Sequence, residues 1–303
     1  MKNYSEQISN WFKYQRNRLK GSKKYHLTRQ VVKFLQEDNN NHDITLTKQE
    51  RTNFINYFSG HLAGGLTISI SSIYRYCPVK VVFDPEKGLH YVVTEKGTHL
   101  YFKRGLSEKH IKRMYNNLRM EQDKESPHNY CFNNLMVTAN TVIGDIGAAE
   151  GIFTLMFIDK IKKAYLFEVE PEWIEALQAT FEPWEDKVII INKFVSDKDG
   201  EDTITLDNYF SQNEKPTLLK LDVEGAEQSV LNGARSLLQE GGITDLLVSL
   251  YHRKEDAEVL PDILRRKNYT VKLSPGYMLM TQESGFVADT PFEFRRGVCH
   301  AFY

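Results

Sequence analysis

The chain has 303 residues, of which 41% are hydrophobic and 26% charged, and Lys+Arg 39 against Asp+Glu 40 leaves a net charge of −1. This composition fits one large folded unit or two modest ones and excludes disordered and fibrous classes. The near-even charge balance gives no ground for nucleic acid or an anionic membrane as partner.

Cys77, Cys131 and Cys299 are few, odd in number and far apart, which excludes a disulfide framework and any Cys-x-x-Cys metal site. Met1 to Gln15 is polar with scattered aromatics, unlike a signal peptide, and no run is apolar for the length of a bilayer. A cytoplasmic location is the expectation.

In chain order, Lys2 to about Phe58 reads as helical with weak periodicity. It carries a basic cluster (Lys13, Arg16, Arg18, Lys20, Lys23, Lys24 and Arg29) interleaved with Trp11, Phe12, Tyr14 and Tyr25, which reads as a solvated helix face or a patch for an acidic partner. Ser59 to Ser72 is rich in Gly and Ser and reads as a linker. Lys80 to Phe83, Tyr91 to Thr94 and His99 to Phe102 read as short strands, with a hairpin turn at Glu95-Lys96-Gly97. Ser107 is placed to cap a helix through Met120.

From Thr141 onward the pattern changes to short apolar runs alternating with helical spacing. Strands are expected at 142–147, 164–168, 188–191, 217–222, 243–250 and 269–273, with a closing strand roughly from Phe294 to Phe302. Between them Ile174, Leu177 and Phe181 stripe one helix that Pro171 can open, and Val230, Leu231, Ala234, Leu237 and Leu238 stripe another. Near-continuous apolar strands alternating with helices mean a mostly parallel, doubly wound α/β sheet covered on both faces. The division expected is 1–72 helical, 73–135 hairpin and helix, and 136–303 the ligand-binding α/β unit.

The strongest chemical signal is Asp145-Ile146-Gly147-Ala148-Ala149-Glu150-Gly151, between a strand and a helix. Gly147 allows a sharp turn, and Gly151 allows close helix packing or close approach of a ligand. The spacing is not that of the three-glycine dinucleotide turn, and the Lys-Ser/Thr of a phosphate loop is absent. An acid at the strand end suits an ammonium group better than a pyrophosphate. Glu168 closes the next strand, where a carboxylate can accept hydrogen bonds from both hydroxyls of a ribose.

Together with Phe167-Glu168, Val195 to Gly200, Thr205-Leu206-Asp207 and Leu219-Lys220-Leu221-Asp222-Val223-Glu224-Gly225-Ala226-Glu227, this turn resembles the FkbM-type methyltransferases from about residue 90 onward. Tyr251-His252-Arg253 and the segment from Glu121 through His128 to Tyr130 resemble a branch of that family. The resemblance implies a class I methyltransferase, Rossmann-like fold with a final antiparallel strand. It also implies S-adenosylmethionine as cofactor and O-methylation of a small molecule, sugar or natural product. On it, Asp145, Gly147, Ala148 and Gly151 surround the methionine part, Glu168 the ribose, and Ser196 and Asp197 the adenine. Asp222 then lies beside the sulfur.

Methyl transfer is a direct displacement, so the protein mainly aligns the acceptor and excludes water. A hydroxyl acceptor also benefits from a base. His252, at the carboxyl end of the fifth strand, is the candidate, with Asp222 and Glu224 competing. His128 and Tyr130 are candidates for a lid or substrate contact. Asp222, Glu224 and His252 are oxygen and nitrogen donors, but their spacing does not establish convergence in a turning chain, and no metal is expected. A nicotinamide dehydrogenase would want the three-glycine turn, which is absent. A non-catalytic adenosyl-binding module stays open, because catalysis by alignment leaves few diagnostic side chains. The amino-terminal half is expected to shape the acceptor pocket or a homo-oligomer interface.

Overall fold

The structure is a computed structural model that describes residues 13–37, 46–63, 74, 77–239, 243–281 and 291–303. Trp11, Phe12 and most of the 59–72 segment lie outside them. No described helix is long and apolar enough to cross a membrane.

Seven strands form the central sheet: β4 (Val142–Ile146), β5 (Lys163–Phe167), β6 (Val188–Ile191), β9 (Leu218–Leu221), β10 (Asp245–Ser249), β11 (Thr270–Leu273) and β14 (Val298–Phe302). Their order is β11-β14-β10-β9-β4-β5-β6. The pairs from β10 to β6 are parallel, and β14 runs antiparallel to both β10 and β11. This is the class I methyltransferase, Rossmann-like arrangement, with one reversed strand. The chain leaves β4 for β5 and β6, then returns to β9 on the other side. Such a reversal opens a crevice at the carboxyl ends of the strands.

Strand alternation divides the core between the two faces of the sheet. Ile143, Ala164, Leu166, Leu218 and Leu247 face one side, with α4 (Ile152–Phe157) and α5 (Pro171–Phe181). Val142, Ile146, Tyr165, Phe167, Leu219, Leu221, Leu246 and Val248 face the other. There they meet α7 (Glu227–Asn232), α8 (Arg235–Gln239) and α9 (Asp256–Arg265). The single helix expected across Val230 to Leu238 is thus two short ones, broken near Gly233, whose N–H turns back to Ser229 and Val230.

Two further departures lie elsewhere in the chain. The expected closing strand is split into β13 (Phe292–Arg295) and β14, because β13 pairs outside the main sheet with β12 (Met278–Thr281). A short pair, β7 (Phe194–Val195) with β8 (Thr203–Ile204), follows β6. Upstream, β1 (Val81–Asp84), β2 (Leu89–Val93) and β3 (His99–Phe102) make an antiparallel sheet. α3 (Glu108–Glu121) follows it with Ser107 as its cap. Residues 13–19 are helical. After them, α1 (Lys23–Gln36) and α2 (Lys48–Phe58) pack Val31, Leu35, Phe54 and Phe58 against Tyr277, Leu279 and Phe294 of the β12–β13 hairpin.

The register of β4 against β9 sets Asp145 opposite Lys220 on the same face. Lys220 Nζ lies 3.0 Å from Asp145 Oδ1 and 2.7 Å from the Gly147 carbonyl oxygen. The other Asp145 oxygen accepts from Thr154 Oγ1 at 2.8 Å. Burial disfavours the Lys220 ammonium, but Asp145 and then Asp222 outweigh it and hold its pKa above the ordinary lysine value.

Two stability outcomes follow. Ile143→Ala, at a fully buried position, should lower the unfolding free energy by about 2–5 kcal/mol in urea titration. Lys220→Met leaves Asp145 charged and unpaired and should cost about 3–5 kcal/mol. Adding Asp145→Asn to Lys220→Met should recover part of that loss. A double variant no more stable than Lys220→Met would show that the ion pair is not what is lost.

Candidate functional site

The carboxyl ends of β4, β5 and β9 border a cavity of about 300 Å³, lined by Ile146, Gly147, Ala149, Phe167 to Glu170, Trp173, Lys193 to Val195 and Asp222 to Glu224, with Ala226. The glycine turn forms one wall. At Gly147, φ is 78° and a Cβ would collide with the Asp222 carbonyl oxygen, so only glycine lets β4 and β9 end this close together. At Gly151, φ is 81° and a Cβ would lie 2.7 Å from both Leu177 and Phe181. Of the two roles considered for Gly151, close helix packing is the one the geometry uses.

Glu168 meets the turn from β5. Its Oε2 accepts from Ala149 N at 2.8 Å, and its Oε1 accepts from Val169 N at 2.7 Å and Glu170 N at 2.9 Å. Three backbone N–H groups therefore fix this carboxylate at the cavity wall. Ala149 has φ 46° to make its contact, a strained conformation for a residue with a side chain.

The expected residues divide by position. Gly147, Glu168, Asp222 and Glu224 line the cavity. Asp145 is 0% exposed and spent on Lys220 and Thr154, while Ala148 is buried in the core behind the turn. Asp145, expected beside an ammonium ligand, is therefore not among the residues that line the cavity and has the Lys220 ammonium as its cationic partner. Ser196 and Asp197 follow β7 but are not among the residues that line the cavity; their predecessors Lys193, Phe194 and Val195 are.

At the far end the structure joins residues remote in sequence. Tyr130 Oη donates to Asp222 Oδ2 at 2.9 Å and is 2.7 Å from Ser249 Oγ. Tyr251 Oη donates to Asp222 Oδ1 at 3.1 Å, and His128 Nε2 lies 3.0 Å from Tyr251 Oη. Because Tyr251 donates to the carboxylate, it accepts from His128, which places the His128 proton on Nε2. Burial holds His128 down to about 4, so it is neutral near pH 7. Burial alone would raise the Asp222 carboxyl, but Lys220, then His252 and His128, outweigh it and hold it well below the usual range.

His252 stands beside this network. Its Nδ1 is 2.8 Å from Glu227 Oε1, and its Nε2 is 3.4 Å from Asp222 Oδ1 and 3.7 Å from Glu224 Oε2. Burial works against its charged form, but the Glu227 hydrogen bond, then Asp222, raises its pKa above the ordinary histidine value. Arg295 donates to the carbonyl oxygens of Tyr251 and His252 at 2.7 and 2.8 Å and so fixes the segment after β10. The turn after β9 has Glu224 at φ 52° and Gly225 at φ 96°.

Sequence reasoning did not single out Tyr251, Ser249, Glu227, Glu121 or Glu150 as site residues. Tyr251, Glu227, Glu121 and Glu150 lie inside the runs that carry the family resemblance, and that position was their only signal; Ser249 lies outside them. Burial raises Glu121 to about 8, with help from Glu150 and Asp222, and raises Glu150 to about 7. These carboxyl groups come together only in the fold.

None of the curated proteins matches the chain. Among solved structures, an FkbM methyltransferase from Methylobacillus flagellatus KT is similar at 21% identity and a TM-score of 0.44, over 66% of this chain and 56% of that one. The chain thus spans little more than half the length of that relative. A precorrin-6y C5,15-methyltransferase from Geobacter metallireducens GS-15 is similar at 11% identity and a TM-score of 0.39, over 66% of this chain and 92% of that one. TrmK of M. capricolum, solved with S-adenosyl-homocysteine, is similar at 12% identity and a TM-score of 0.34, over 55% and 64%. The methyltransferase FkbM domain family matches residues 156–271, which take in Glu168, Asp222, Glu227 and His252. That match makes this stretch, less than half of the chain, similar to the FkbM methyltransferase domain.

Proposed function

We propose that the protein transfers a methyl group from S-adenosylmethionine to an oxygen of a small molecule or sugar. The observation that carries this reading is a cavity of about 300 Å³ with Glu168 on one wall and Asp222 on another, at the crevice where such sheets bind ligands. In this reading Glu168 receives the ribose hydroxyls, and Lys193 to Val195 with Val169 flank the adenine. The backbone at Gly147 and Ala149 meets the methionine part. Asp145, Ala148 and Gly151 support that turn from behind, and Ser196 and Asp197 act at the edge of the adenine side.

Asp222 then faces the sulfonium, and Asp222 with His252 engages the acceptor. The transfer breaks the S–CH3 bond, forms an O–CH3 bond and releases S-adenosylhomocysteine, while the acceptor gives up its hydroxyl proton. Because the sulfonium is already activated, the protein supplies alignment, exclusion of water and a way to draw off that proton. His128 and Tyr130 hold Asp222 in place, directly through Tyr130 and through Tyr251 from His128. The net charge of −1 supports a small acceptor over nucleic acid.

Calorimetric titration should give saturable binding of S-adenosylhomocysteine and none of NADH. Glu168→Ala should weaken S-adenosylhomocysteine at least about tenfold, the effect of roughly 1.4 kcal/mol of lost contact; parental affinity in this variant would remove Glu168 from the site. His252→Ala should keep cofactor affinity within a few fold while turnover falls by about a hundredfold. Unchanged turnover at saturating acceptor would take His252 out of the acceptor end.

A further inference from the structure

His252 is enclosed by carboxylates. Glu227 lies behind Nδ1 at 2.8 Å, and Asp222 and Glu224 lie before Nε2 at 3.4 and 3.7 Å. One donor atom from each of Asp222, Glu227 and His252 falls within 4.8 Å of the others. Glu227 is completely buried, and its Oε2 has no hydrogen-bond partner. Its other oxygen, Oε1, is the one that meets His252 Nδ1 and so ties the ring to a buried carboxylate.

The donor set and its spacing point to one kind of ligand. Carboxylate and imidazole donors about 2.0–2.2 Å from a divalent ion stand roughly 3–4 Å from one another, which is the separation of His252 Nε2 from its two carboxylates. A carboxylate on the far nitrogen is the arrangement that orients a metal-binding histidine. Glu227 supplies it: with the Nδ1 proton given to Glu227, Nε2 presents its lone pair toward Asp222. The Glu224 side chain is 88% exposed, so this third carboxylate is free to swing inward, and Asp222 and Glu224 both border the cavity.

We propose that Asp222 and His252, oriented by Glu227 and joined by Glu224, bind a divalent cation of the Mg²⁺ or Mn²⁺ class. The proposal deepens the methyl-transfer reading and rests on it for the cation's task. Beside the acceptor hydroxyl, the ion makes the O–H proton easier to lose to solvent, and the resulting oxygen takes the methyl as the S–CH3 bond breaks. His252 acts as a ligand in that step.

The test is Mn²⁺ binding to the full chain without cofactor, followed by calorimetry and by the electron spin resonance of the free ion. One saturable site is expected, displaced by excess Mg²⁺, with a ¹⁴N modulation from one bound imidazole in pulsed spectra of the unaltered protein. His252→Ala should abolish that modulation and weaken Mn²⁺ at least tenfold, and Glu227→Gln should weaken it. Glu214→Gln, in the surface pair with Lys162, should leave Mn²⁺ binding unchanged. S-adenosylhomocysteine affinity of each protein reports on folding and on the cofactor site. No Mn²⁺ binding by a protein that still binds S-adenosylhomocysteine, or a bound ion lacking the ¹⁴N signal, overturns the metal site and leaves the methyltransferase reading standing. Mn²⁺ binding without S-adenosylhomocysteine binding overturns the latter reading instead.

Discussion

A single buried ammonium, that of Lys220, organises the centre of the molecule. Its neighbours are fixed by register: β9 beside β4 puts it opposite Asp145, and its length carries Nζ on to the Gly147 carbonyl. It therefore anchors the glycine turn from within the sheet. The same charge lies over the Tyr130 ring at 5.7 Å and helps keep Asp222 ionised. One cation in a poorly solvated interior thus supports the turn on one side and the Asp222 network on the other. Charged groups in such a place persist only when paired and hydrogen-bonded, as Lys220 and Asp145 both are.

The site grows outward from that centre through backbone geometry. Ala149 and Glu224, neither of them glycine, both take left-handed conformations at the cavity wall. The first turns an N–H to Glu168, and the second brings a carboxylate to His252. Strain of this kind persists where surrounding contacts enforce it. Here the enforcing contacts are the Glu168 carboxylate at one turn and Glu227 at the other, whose Oε1 accepts from Val223 N.

Much of the fold was legible in the sequence because it depends on local pattern. Val142 to Ile146 and Val188 to Ile191 are apolar runs between turns, and they became strands where expected. Ser107 capped its helix for an equally local reason. The split between β13 and β14 was not legible, because pairing with β12 rather than local propensity decides it. The same holds at the site. Glu168 and Asp222 could be found from their places at strand ends. Asp145 was legible as important, but its partner was not, since a lysine in an apolar strand carries no mark of the aspartate that the register sets beside it. The contact of His128 with Tyr251 joins residues 123 apart in the chain, beyond the reach of any spacing rule.

One feature of the carboxyl-terminal hairpin gives the amino-terminal half a role beyond bulk. On β13, Phe294 packs into the core shared with α1 and α2, while the adjacent Arg295 holds the carbonyls of Tyr251 and His252. Neighbouring residues on a strand point to opposite faces, and a one-residue slip would exchange them. The helices that grip Phe294 thereby fix which way Arg295 points. They act as a brace that sets the register of a clamp, and a change in how they seat reaches His252 across two consecutive side chains.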